Sequence, residues 1–150
     1  GFGGYIERQN RRDADKLLRD TVARRFEEQH KRASQLQTEL VGAGKIEFVD
    51  DMEKATIKLQ TFMDKISRAP RGYSGLFDAV KINEKELEAI YQFDAAFFDL
   101  AEQIGRALDN VEQSLGDDAA LPAAIRNLAT LARQAVEVYE KRDEVVTGSN

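Results

Sequence analysis

The chain has 150 residues, no cysteine, a formal net charge of -5 and charged side chains at 33% of its positions. That length can close one core without a disulfide or a metal, and the missing cysteines exclude a disulfide framework and thiolate zinc sites. Residues 1–33 hold nine Lys/Arg against six Asp/Glu and the remainder thirteen against twenty-one, so the acidic body repels nucleic acid and anionic lipid, and any polyanion contact falls to the basic start.

Aliphatic residues recur at helical intervals and no apolar run reaches the roughly 18 residues a membrane span needs, which predicts an all-α fold. A first helix is expected over residues 6–41, with Ala14, Leu18, Val22, Phe26, Ala33, Leu36 and Leu40 on its packed side. The spacing is four as far as Phe26 and then alternates threes and fours, with Gln29 in one seam position, so the two halves are expected to pack differently. Gly42-Ala43-Gly44 ends it.

A second helix over 46–68 buries Phe48, Met52, Ala55, Leu59, Phe62 and Ile66, and the short turn before it makes it antiparallel to the first. Counting outward from that turn sets Phe26 opposite Phe62 and Val22 opposite Ile66. The stretch 69–83 then interrupts the helices with Pro70, Gly72 and Gly75, yet carries Tyr73, Leu76, Phe77, Val80 and Ile82. Its composition predicts an ordered, non-helical plug lying over the start of the first helix, against Leu17, Leu18, Leu87 and Tyr91.

Asn83 followed by Glu86 gives a capping-box start for a third helix, whose seam reads Leu87, Ile90, Asp94, Phe97, Ala101, Ile104, Leu108, Val111 and Leu115. Gly116 stops it, and a fourth helix follows with Leu121, Ala124, Leu128, Leu131, Ala135, Val138, Arg142 and Val145. The expected whole is a single domain over 1–150: an antiparallel up-down-up-down four-helix bundle with long helices, a flexible start at 1–5 and a frayed tail at 147–150.

Glu27 and His30 have the Glu-x-x-His spacing of carboxylate-bridged di-iron bundles. Such a site needs a second pair and further carboxylates, and the chain has one histidine, so His30 is expected to be solvent-exposed and to bind no metal. Neither a Ser-His nor a Cys-His arrangement and no phosphate-binding glycine loop is present, leaving carboxylates as the sole route to catalysis. Asp94 is the unusual one, because a charge in a seam is costly unless paired. Pairing the third and fourth helices across Gly116 brings it level with Arg142, which predicts a partly buried structural ion pair shielded by Tyr91 or Tyr139; the alternative is a ligand-binding or catalytic carboxylate facing a cavity.

Tyr5, Tyr73, Phe77, Tyr91, Phe93 and Tyr139 gather at one end of this arrangement, as an aromatic core beneath the plug or as a docking surface. The docking reading uses Tyr5, Arg8, Arg11, Arg12, Tyr73, Leu76 and Phe77. No catalytic residue, cofactor, metal or small-molecule substrate is expected. The functional expectation is a non-enzymatic, cytoplasmic interaction or scaffold module that binds a protein partner or itself. The alternative is a peripheral protein that contacts anionic lipid through residues 1–12, and nucleic acid is not an expected partner.

Overall fold

A computed structural model describes residues 2–68 and 84–147, with side chains described at 10, 13, 14, 16–66 and 84–145. It is all-helical: α1 spans Phe2–Gly42, a short 3-10 turn Ile46–Phe48, α2 Val49–Arg68, α3 Glu84–Gln113 and α4 Leu121–Thr147, with no strand among the described residues. At 1.5 Å per residue the 41 residues of α1 reach about 60 Å, well beyond the 30 of α3. The plug expected at 69–83 and the Asn83 cap lie outside the described residues.

The helix ends follow from local chemistry. Gly44, at φ 73°, closes α1, while the amide of Lys45 donates to the Leu40 carbonyl at 2.9 Å and that of Gly44 to Val41 at 3.0 Å. This pair of bonds satisfies carbonyls that the last turn would leave orphaned, and only glycine takes the left-handed conformation there without a Cβ clash. Asp50 and Asp51 place negative charge on the first turn of α2, as Glu84 and Glu86 do for α3. Before α4, Asp117 Oδ1 accepts from the amides of Ala119 and Ala120 at 3.1 and 3.2 Å, and Pro122 sits where a missing amide proton costs nothing.

α1 packs on α2 and α3, and α4 packs on the same two helices from the other side. One aromatic ring from each helix meets in the core: Phe26 lies 4.2 Å from Phe62, Phe62 lies 5.2 Å from Phe97, and Phe97 lies 6.4 Å from Tyr139. The tilted and edge-on orientations suit the ring quadrupoles, adding to the burial of large apolar area. On one side of this cluster the interior is aliphatic, with Leu36, Leu40 and Met52, and on the other Val22 and Ile66 share it with buried charged residues.

Two seams differ from the expected ones. On α1 the four-residue steps through Ala14 and Leu18 are not the packed line: Ala14 is exposed, Leu18 is partly buried, and Arg19 is buried at 6% exposure. Arg19, Val22, Phe26, Gln29, Ala33, Leu36 and Leu40 keep one alternating rhythm, so no change of packing occurs at Phe26. On α4 Ile125, Ala132 and Tyr139 are buried, while Leu131, Val138 and Val145 are only partly so. α4 contacts two helices at once, which turns its buried stripe one position from the single line expected of a hairpin.

Candidate functional site

Among the described residues, three of the four buried polar ones, Arg19, Asp94 and Arg142, fall in one layer; the fourth is Ser114. Arg142 Nε donates to Asp94 Oδ1 at 2.7 Å, with side chains 2% and 0% exposed. Hydrogen-bonded positions of α1 and α3 differ in number by 72 to 80, which sets Asp94 level with residues 14–22 of α1, and Arg19 is the buried charge in that range. Tyr139, one turn before Arg142, completes the group. Burial pushes its hydroxyl above the ordinary tyrosine pKa and the Asp143 carboxylate adds to this, while Arg142 and Arg19 pull the other way. Three helices thus each send a charge into the same dry layer, where an unpaired one would cost several kcal/mol, about 3–5 for a broken pair.

A second polar region lines the junction of α1 and α3. Arg25 pairs with Glu102, and Arg32 reaches Asp109 at 2.6 Å and Glu112 at 2.7 Å. The Arg25 guanidinium also lies 4.6 Å from the centre of the Phe98 ring. Burial pushes the Arg32 guanidinium down, but its hydrogen bonds to Glu112 and Asp109, with their charges, outweigh this and hold its pKa above the usual value. Between these pairs Gln29 Nε2 donates to the Ala101 carbonyl, and Gln29 Oε1 is buried with no hydrogen-bond partner among the described residues. Gly105 has no side chain to fill the space beside Gln29, and the junction opens into a groove of about 590 Å³ whose walls include Arg24, Glu28 and Arg106. Farther along, Lys45 Nζ donates to the Leu115 carbonyl and, at 2.7 Å, to Asp118, tying together the two turns at that end of the molecule.

Of the residues singled out in the sequence, the structure brings Asp94 and Arg142 together. The side chains of Tyr5, Arg8, Arg11 and Arg12 and the whole of Tyr73, Leu76 and Phe77 lie outside the described residues. Tyr91 is 37% exposed and Phe93 partly buried, while Tyr139 faces inward to Phe62 and Phe97. His30 is partly buried rather than fully exposed, because it lies beside the packed Ala33 line; Glu27 is exposed and pairs with Lys31 at 3.6 Å. No three Asp, Glu or His side chains converge as a metal site requires among the described residues, and none of the described helices is long and apolar enough to cross a membrane.

Sequence reasoning missed Arg19, although its place in the heptad with Val22 and Phe26 is a signal of the same kind as that of Asp94. It also missed the α1–α3 groove, since pairing across turns compares only neighbours in sequence. The chain matches no protein-family model, no curated protein and no solved structure.

Proposed function

We propose that the chain is a non-enzymatic helical interaction or scaffold module, built as an antiparallel four-helix bundle and acting by contact with a protein partner or with a second copy. The observation that carries this reading is the Asp94–Arg142 pair: the buried carboxylate among the described residues is bonded to a guanidinium and sealed from solvent, out of reach of a substrate. Two further sets of ion pairs run from helix to helix, from Arg25 to Glu102 and from Arg32 to Asp109 and Glu112, in the manner of groups that set alignment. Phe26 against Phe62 and Asp94 against Arg142 both match antiparallel counting across the two turns, which supports the bundle topology.

The contact surface in this proposal lies at the start of α1. Counting from the Phe26–Phe62 contact, the last residue of α2 falls opposite about residue 20, so the first turns of α1 extend beyond α2, and Leu17 there is 66% exposed. An exposed leucine on a segment whose sequence also holds Arg8, Arg11 and Arg12 suits a protein surface of mixed apolar and acidic character. Light scattering over a wide concentration range, with Leu17→Glu as the control, tests self-association: a mass that rises above 16.9 kDa in the parent and stays there in the variant supports it.

The same basic segment favours a second reading, contact with anionic lipid through residues 1–12. Co-sedimentation with anionic vesicles at low salt decides between them. Pelleting that disappears on deletion of residues 1–12 establishes the lipid reading, and absence of pelleting removes it.

A further inference from the structure

The groove between α1 and α3 carries four arginines in a protein whose net charge is -5. Two of them are neutralised, Arg25 by Glu102 and Arg32 by Asp109 and Glu112. The other two stand on opposite walls, Arg24 on α1 and Arg106 on α3, both exposed. Neither is bound to a carboxylate among the described residues; the polar contact of Arg24 is a 3.4 Å hydrogen bond to Thr21 Oγ1. The groove is also lined by Glu28, four residues along α1 from Arg24, and by Glu102 and Asp109, which pair with Arg25 and Arg32.

We propose that this groove binds a small phosphate-bearing molecule, held between the guanidinium groups of Arg24 and Arg106. Guanidinium forks match the several acceptor oxygens of a phosphate bidentately, and two forks from two helices fix it from both sides. A simple carboxylate offers nothing that Glu28 does not already present, whereas a phosphate dianion brings more charge and more acceptors. A nucleic acid would have to lay its backbone along an acidic body, so the ligand is a small one. The volume of about 590 Å³ falls within the range of small-molecule sites, and the bare backbone at Gly105 gives the groove its depth. Arg25 and Arg32 are occupied by their carboxylates, so the positive charge open to the ligand is that of Arg24 and Arg106. The site is a binding function separate from the protein-contact surface proposed for the start of α1.

The test is calorimetric titration of the full chain with inorganic pyrophosphate at fixed ionic strength, repeated with Arg24→Gln/Arg106→Gln and with Glu28→Gln. All three positions are exposed, and circular dichroism of each variant verifies that it is folded. Saturable binding is expected, weakened about tenfold or more by the double substitution, because each guanidinium lost removes charge-assisted hydrogen bonds to the phosphate oxygens. Removal of the competing carboxylate in Glu28→Gln is expected to tighten it. No saturable heat with the parent protein, or an affinity unchanged in Arg24→Gln/Arg106→Gln, overturns the proposal.

Discussion

Arg142 Nε lies 2.7 Å from Asp94 Oδ1, and this bond joins α4 to α3 inside a layer from which solvent is excluded. Its consequence is asymmetric. Asp94→Ala leaves a guanidinium buried without its carboxylate and should lower stability by about 3–5 kcal/mol, read from urea denaturation. Asp94→Asn keeps the shape and removes the charge, and should recover only part of that loss. A cost below about 1 kcal/mol for the alanine variant, typical of exposed pairs, would mean that water reaches the layer.

Two glycines should respond in opposite directions. Gly44, with φ 73°, closes α1, and Gly44→Ala should destabilise by roughly 1–2 kcal/mol because a Cβ strains the left-handed conformation. Gly105 lies in mid-helix, where an added Cβ would meet Gln29 Nε2 at 3.5 Å, an ordinary contact. Gly105→Ala should therefore stabilise by about 0.5–1 kcal/mol through helix propensity. Melting temperatures measured side by side decide both.

Gln29 occupies a seam position with a buried acceptor that finds no partner among the described residues. Gln29→Met fills similar space without that acceptor, and the Ala101 carbonyl it releases sits within a helix. The substitution should be neutral or stabilising by about 1 kcal/mol, and a loss of more than that would show that the amide is satisfied in solution.

How much of this was legible in the sequence depended on which helices touch. The Phe26–Phe62 and Asp94–Arg142 contacts join helices adjacent in the chain, so counting across a turn locates them. The α1–α3 junction joins helices distant in sequence and is polar on its α1 side, through Arg25, Gln29 and Arg32, so no hydrophobic period announced it. Arg19 was overlooked because Leu18 beside it is the more apolar choice for a seam. Ala132 and Tyr139 were passed over for Leu131 and Val138 for the same reason, although packing against both α2 and α3 turns α4 toward the smaller or more polar residue.

Tyr139 supplies a pH dependence. Burial first, and Asp143 second, raise its pKa above 10.0. A raised folded-state value means that the native protein holds the proton more tightly than the unfolded chain. The contribution is complete below pH about 10, where both states are protonated, and is lost as pH climbs through the folded value. Tyr139→Phe should remove this alkaline component, as followed by urea midpoints across that range, and the tyrosinate absorbance that the substitution removes should appear above pH 10.0.

Whether the buried Asp94–Arg142 pair holds α3 and α4 in alignment is measured most directly by a double-mutant cycle. Asp94→Leu, Arg142→Leu and the combined variant are compared with the parent in urea. The account predicts that each single change is strongly destabilising and that the pair together is neutral or even stabilising by about 1–4 kcal/mol, with cooperative unfolding retained. Single losses that simply add in the double variant would contradict it, showing that Asp94 and Arg142 act through separate partners and that the pair does not align α3 with α4.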